Sequence, residues 1–376
     1  MPTGHIRRRQ ASDGKMSYQI IVETDPDPIT GKRQRKYFTH HGTMREANAI
    51  LDRLKAEIAS GGIAKPSALK LSDWMSEWMR LYLPNIAETT RAGYEERIKT
   101  RLTPYLGNYP LNTLRTASIQ GWVNMLSQDE HLAPKTVKNV YLNLKAALDK
   151  AVVLNMLPSN PCTGVVLPKP VKYQAQVYNN TEIMQMLNAA QGTDIYLLVA
   201  LDVLTGLRRG EIAALQWSDV DFENGVIHIT RNRVIAGGKK ITKAPKSQSG
   251  IRDISIGDKL LALLKEEYMR YCADKERLGM DFVDSNYVIR KKNGEAYSPD
   301  SLTQKWERFC DANELRHIRL HDLRHTCATA MLGAGVEPKV IQTRLGHSDI
   351  STTMNIYAHC LPSMNKDAGT KIDALL

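Results

Sequence analysis

Apolar residues return every three or four positions between Leu71 and Ala151, and this spacing constrains the fold more than any other feature. The first such run is Leu71, Trp74, Met75, Trp78 and Tyr82, which share one face of a helix. Similar runs cover residues 88–106 and 118–126, and another begins at Pro134. Each helix must bury its apolar face against another helix. The pattern therefore predicts a bundle of four helices over about residues 68–160.

Glycine and proline separate this bundle from the rest of the chain. Gly61, Gly62 and Pro66 mark a linker before it, and four prolines between residues 158 and 170 stiffen the connection after it. Residues 174–376 mix helical and alternating patterns. A strand at 225–234, a turn at Gly237-Gly238 and strands at 241–244 and 251–256 are predicted to continue one small antiparallel sheet. The predicted fold class is mainly α with small antiparallel β elements (α+β).

The amino-terminal region is basic and rich in turn formers. Its first 45 residues hold nine Lys and Arg against four Asp and Glu. Residues 18–23 and 35–39 are predicted strands, 25–31 a turn, and 44–59 a helix. We interpret residues 1–60 as a small separate module. The alternative is a solvated basic tail with a hairpin.

Charge and cysteine usage restrict the class of protein. The 376 residues carry 51 Lys and Arg against 40 Asp and Glu, a net charge of +11, which favours a polyanionic partner such as nucleic acid. The alternative is an ordinary enzyme that happens to be basic. Five scattered cysteines, without zinc-finger spacing, indicate reduced thiols. No secretory signal is visible, and the apolar stretch 195–207 is too short to span a membrane. We expect a soluble cytoplasmic protein with no membrane partner.

Candidate chemistry is concentrated in short blocks of the last domain. They are Thr205-Gly-Leu-Arg208-Arg-Gly-Glu211, His321-Asp-Leu-Arg324-His325, Leu345-Gly-His347 and the lone Tyr357. Two guanidiniums can hold the oxygens of a phosphate in bidentate fashion, and a tyrosine phenol can attack phosphorus. None of these blocks contains a DxD, HExxH or paired-carboxylate motif, so we expect neither a metal site nor a cofactor.

Spacing predicts where several of these side chains point. Arg208 follows an apolar helix and should sit at a turn, and Gly346 should form a tight turn that aims His347 inward. His321 and Arg324 are three residues apart, so both project from one face at a helix start. His325 should face away and either pack or cap the helix. Glu211 should orient a cationic neighbour rather than act as an acid or base.

The four blocks, with residues 345–353 and Ile356-Tyr357, resemble the signature boxes of the tyrosine recombinases. More narrowly, the chain is similar to integrases of temperate phages and conjugative transposons from Gram-positive bacteria. The resemblance implies a catalytic set that ends in the nucleophile, namely Arg208, Lys246, His321, Arg324, His347 and Tyr357. Lys246 would be the general acid, and Lys243 is the alternative. Tyr357 is the tenth residue after His347, where many relatives have the tyrosine at the ninth.

The same resemblance implies domains, activity and partners. Residues 1–60 would be an arm-type DNA-binding domain with a three-stranded sheet, 68–160 a helical core-binding domain, and 174–376 a mixed α/β catalytic domain. The enzyme would cleave and rejoin DNA through a 3′-phosphotyrosine to integrate and excise a mobile element. Its partners would be double-stranded attachment sites, itself as a tetramer on DNA, an excisionase and a host DNA-bending protein. The alternatives are a nicking-closing enzyme like a type IB topoisomerase, and a DNA-binding accessory protein without catalysis.

Overall fold

A computed structural model describes residues 3–10, 16–24, 34–59, 69–170, 175–245, 248–351 and 353–354. Contacts between Cα atoms divide the chain into two compact units, Met1–Val171 and Lys172–Leu376.

The first unit begins with an antiparallel sheet of three strands in the order β1-β2-β3. The strands are β1 Gly4–Gln10, β2 Met16–Thr24 and β3 Gln34–His40, followed by helix α1 Met44–Ala59. Tyr18, Ile20 and Val22 of β2 pack with Leu51 and Leu54 of α1 in a small core. The predicted strands and helix are confirmed. The residue pattern identified only two strands, because three consecutive arginines at 7–9 hide the alternation of β1.

The helical bundle follows with its own core. Its helices are α2 Leu71–Tyr82, α3 Glu88–Arg97, α4 Thr103–Leu106, α5 Thr116–Gln128 and α6 Pro134–Val153, with a 3-10 turn at Leu111–Thr113. The predicted helix over 88–106 is interrupted by a π-helical turn, Ile98–Leu102. The interruption precedes Pro104, which has no N–H to donate to the carbonyl four residues earlier. Trp74 and Trp122 are buried and donate to the carbonyls of Ala147 and Arg101, both at 2.9 Å, as core residues should.

The second unit surrounds an almost wholly buried helix. Its helices are α7 Asn180–Ala190, α8 Tyr196–Thr205, α9 Arg209–Ile212, α10 Asp258–Leu278, α11 Pro299–Ala312, α12 Leu320–Gly333 and α13 Pro338–Leu345. Helix α8 is the buried one, and Trp306 of α11 and Leu323 of α12 belong to the same core. Helical backbone resumes at Ile350, and residues from 355 onward lie outside the described part. Within the described ranges, no helix has both the length and the apolar character needed to cross a membrane.

The strands of this unit correct one prediction. They are β4 Val220–Asp221, β5 Val226–Ile229, β6 Asn232–Ala236, β7 Lys239–Lys243 and β8 Arg252–Ser255. The single sheet expected from residues 225–256 is wrong, since β4-β5-β8 form one sheet and the β6-β7 hairpin forms another. The predicted strand 225–234 breaks where Arg231 forms an ion pair with the buried Asp219. The mainly helical fold class with small antiparallel sheets is confirmed.

Candidate active site

The turn between α8 and α9 places Arg208. Gly206 ends α8 in the left-handed conformation, with φ of +66°, and a Cβ at this position would overlap the Leu345 side chain. Arg208 then caps α9, with its side chain 37% exposed. Its Nη1 donates to Glu211 Oε1 at 2.8 Å and its Nη2 donates to the Gly346 carbonyl at 2.6 Å. The prediction that Arg208 lies at a turn beside a buried helix is confirmed.

Glu211 holds two arginines. Its side chain is 2% exposed and accepts hydrogen bonds from Arg208 and from both Nη atoms of Arg252, at 3.2 and 2.9 Å. Burial alone would raise the pKa of Glu211, but the hydrogen bond and charge of Arg252, with those of Arg208, lower it overall. Glu211 is therefore an ionised buttress, in agreement with the orienting role predicted for it.

Arg324 lies deeper than Arg208. Its guanidinium is buried, and it donates from Nη1 to the Gly206 carbonyl at 2.5 Å and from Nη2 to the Leu345 carbonyl at 2.7 Å. Burial, and then the charge of Arg208, lower the pKa of Arg324 to about 9, which still leaves it cationic at neutral pH. Arg324 thus joins the two glycine turns that present Arg208 and His347.

His321 lies one turn before Arg324, at the start of α12, with its ring exposed at the surface. The ring of His325 packs edge-on against it, with centroids 5.3 Å apart. Partial desolvation, and then the charges of His325 and Arg324, lower the pKa of His321 to about 4. His325 packs, as expected, but the expectation that it faces away is wrong, because one helical turn brings it back beside His321.

His347 follows the second glycine turn. Gly346 ends α13 with φ of +68°, and the His347 ring beyond it is buried, with Nδ1 2.9 Å from the Thr353 hydroxyl. Burial lowers the pKa of His347 to about 3, and the charges of Arg324 and Arg208 act in the same direction. His347 is therefore a neutral imidazole at physiological pH. The predicted inward orientation is confirmed.

Three of the six predicted site residues, Arg208, Arg324 and His347, meet around the two glycine turns, and His321 lies at the edge of the group. Lys246 and Tyr357 lie outside the described residues. Lys243, the alternative to Lys246, is the last residue of β7 and pairs with Asn232. A cluster of cations around a neutral imidazole binds a phosphate and stabilises the charge that develops on it during transfer.

Two buried residues of this region were missed by sequence reasoning. The Arg252 side chain on β8 is only 4% exposed. The sequence indicated this burial, because Arg252 and Ile254 alternate along the strand and therefore share its inward face. Asp202 on α8 is buried, and neither carboxylate oxygen has a hydrogen-bond partner among the described residues. Burial raises the pKa of Asp202 well above its ordinary value, although the charge of Arg324 opposes this. The sequence indicated this burial too, since Asp202 is an acidic residue within an otherwise apolar helix.

Most of the chain is similar to known proteins. The model of the phage integrase family covers residues 176–364, and that of the phage integrase N-terminal SAM-like domain covers residues 70–127. A XerC-like tyrosine recombinase of Caldanaerobacter subterraneus subsp. tengcongensis is 28% identical over 95% of each chain. The ICEBs1 integrase of Bacillus subtilis is 27% identical over 96% of this chain and 97% of its own.

A solved structure shares the fold. The Tn1549 transposon integrase, in complex with a circular intermediate DNA, superposes with a TM-score of 0.67 at 23% identity. The match covers 82% of this chain and all of that one.

Proposed function

The chain belongs to the phage integrase family of tyrosine recombinases, and on that premise we propose how its residues carry out recombination. It is a site-specific recombinase that cleaves and rejoins DNA strands through a 3′-phosphotyrosine to integrate and excise a mobile element. One observation carries the assignment of roles: Arg208, Arg324 and the neutral His347 converge around two glycine turns, with Glu211 buried behind them.

The scissile phosphate lies against Arg208, Arg324 and His347 in the proposed reaction. The guanidiniums offset its charge, and His347 donates one hydrogen bond to a non-bridging oxygen. The Tyr357 oxygen attacks phosphorus while the bond to the 5′-oxygen breaks. His321, an exposed imidazole one helical turn before Arg324, accepts the phenol proton, and Lys246 protonates the leaving oxygen. The phosphotyrosine conserves the energy of the broken bond, so that a 5′-hydroxyl from another duplex can reverse the reaction.

The roles proposed for the domains are based on their separate hydrophobic cores and on the positions of their basic residues. We assign residues 1–60 to arm-type sites, 68–160 to the core site and 174–376 to catalysis. The separate hydrophobic cores of the β1–β3 sheet and of the α2–α6 bundle support the first two assignments. Arg7, Arg8 and Arg9 on β1 supply phosphate-binding charge.

The proposed partners are double-stranded attachment sites in the bacterial cytoplasm. Exchange of four strands between two duplexes needs four active sites, so the working form is a tetramer on DNA. An excisionase and a host DNA-bending protein would set the direction of the reaction.

The first test is strand cleavage on a core-site duplex nicked beside the cleavage position, so that the released fragment diffuses away and the covalent complex accumulates. The wild type should form an adduct that resists denaturant and disappears on protease treatment. Lys246→Ala should slow its formation about 100-fold or more, whereas Lys243→Ala should stay within about threefold of wild type. The reverse ranking would assign the general acid to Lys243, and the absence of any adduct would contradict the proposal.

Exchange between two labelled attachment sites separates a recombinase from a nicking-closing enzyme. Recombinant products should form from paired sites. Relaxation of supercoils without recombinants would favour the topoisomerase-like alternative.

A further inference from the structure

The segment that carries Lys246 is held together at its two ends. Pro245 precedes Lys246 and Ser247, and a 3-10 turn, Gln248–Gly250, follows them. Gly250 packs directly against Pro245, since a Cβ at Gly250 would lie 2.5 Å from the Pro245 Cβ. Gly250 and Pro245 are therefore in contact on either side of residues 246 and 247, and an anchor of Gly250 also acts on Pro245.

Arg252 is that anchor. Its Nη1 donates to the Gly250 carbonyl at 3.1 Å and to Glu211 Oε1 at 3.2 Å, and its Nη2 donates to Glu211 Oε2 at 2.9 Å. Its Nε donates to the Arg344 carbonyl, near the end of α13, at 2.6 Å. One buried guanidinium thus bonds the Lys246 segment, the carboxylate that orients Arg208, and the helix that leads into His347.

Close packing reinforces these bonds. A Cβ at Gly346 would lie 2.7 Å from the Ser249 carbonyl oxygen and 3.1 Å from Arg252 Nη1, so Ser249 and the turn before His347 are in direct contact. Arginine presents a planar fork of donors with fixed directions, whereas lysine offers a single ammonium. Lysine at position 252 could keep a charge opposite Glu211 but could not satisfy all three segments at once.

We infer that Arg252 is a positioning residue for the leaving-group step: it holds Gly250, which packs on Pro245 on the other side of Lys246, in register with Arg208 and His347. The inference rests on the proposed function, in which Lys246 is the general acid. In that step the phosphorus–5′-oxygen bond breaks, the bond from phosphorus to the Tyr357 oxygen forms, and one proton moves from Lys246 to the leaving oxygen. Arg252 exchanges no proton and touches no reacting atom.

A change of leaving group isolates this role. In a core-site duplex with sulfur in place of the bridging 5′-oxygen, the leaving thiolate needs no proton donor, because a thiol is a far stronger acid than an alcohol. Arg252→Lys and Arg252→Met should cleave the oxygen substrate about 100-fold more slowly than wild type, the size of effect expected when a catalytic group is misplaced by about 1 Å. On the sulfur substrate Arg252→Lys, which keeps a charge opposite Glu211, should recover to within about threefold of wild type, like Lys246→Ala. Arg252→Met should recover only in part, because it also removes the charge that pairs with Glu211. A merely structural defect would slow both substrates equally.

Two further variants control for local damage. Gly250→Ala should show the same sulfur-dependent recovery with Arg252 intact, because its methyl group would push Gly250 away from Pro245. Arg344→Ala removes bonds to the carbonyls of Ser255 and Leu204 and spares the Lys246 segment, so it should slow neither substrate more than about threefold.

The outcomes distinguish the inference from its premise. If the cleavage rate of Lys246→Ala recovers on the sulfur substrate while those of the Arg252 and Gly250 variants do not, Arg252 does not act through Lys246. That result would overturn the inference and leave the proposed function intact. If Lys246→Ala does not recover, the general-acid role fails and the inference falls with it.

Discussion

Glu211→Gln tests the electrostatic construction of the site. The substitution keeps the size of the side chain and one acceptor oxygen, but it removes the negative charge between Arg208 and Arg252. Glu211 is 2% exposed and its Arg252 partner 4%. Removing one partner of a buried ion pair costs about 3–5 kcal/mol of unfolding free energy, because the remaining charge stays buried. Since glutamine retains one acceptor, we expect the lower end, about 3 kcal/mol.

The same unit offers a matched control in Glu182. Like Glu211, it is the third residue of its helix, accepts the N–H of the capping residue, and pairs with an arginine, Arg316, at 2.6 Å. However, Glu182 is 24% exposed and Arg316 43%. Solvent screens such a pair, so Glu182→Gln should cost at most about 1 kcal/mol.

The pH dependence has a defined sign. Because the folded-state pKa of Glu211 is below its ordinary value of 4.5, the unfolded chain binds this proton more readily. The stability that Glu211 contributes is therefore complete above pH 4.5 and is lost as the pH falls through the folded pKa. Wild type and Glu211→Gln should converge in stability below pH 4.5.

Urea denaturation with peptide-resolved hydrogen exchange measures these differences, because it reads the second unit separately. Equal losses in the Glu211 and Glu182 variants, or a Glu211 loss that persists unchanged at acid pH, would refute the reasoning.

Other outcomes test the remaining parts of the account. Gly206→Ala should lower the melting temperature of the second unit more than Gly238→Ala does, because both glycines have positive φ but only Gly206 meets a neighbour, Leu345; equal shifts in a thermal melt would contradict this. Formation of the covalent adduct should survive excess chelator, and a loss of cleavage that magnesium restores would overturn the arginine-based mechanism. Deleting residues 1–66 should leave core-site cleavage intact and abolish integration between full attachment sites; undiminished integration would show that the sheet is not an arm reader.

The sequence predicted what depends on local periodicity and short motifs. The helical spacing of 71–151 and the glycines before Arg208 and His347 correspond to α2–α6 and to two left-handed turns. Both signals are local, since a helix face and a positive φ are determined within a few residues.

What the sequence could not predict depends on contacts between distant segments. Alternation with Ile254 indicates that Arg252 faces inward, but its partner is defined only by the tertiary structure, which brings it to Glu211, 41 residues earlier. The division into two sheets likewise depends on strand pairing, since β8 pairs with β5 whereas β6 pairs with β7. The contact between His325 and His321 is different, because it is local: residues four apart share one face of a helix.

The central claim is that Tyr357 becomes covalently joined to DNA. The most direct measurement is mass spectrometry of the peptide–nucleotide product, after protease and nuclease digestion of the adduct formed on the nicked core site. The account predicts a 3′-phosphate linked to Tyr357 in the wild type, and no adduct from Tyr357→Phe at unchanged DNA affinity. A nucleotide on any other residue, a 5′ linkage, or an adduct from Tyr357→Phe would contradict it.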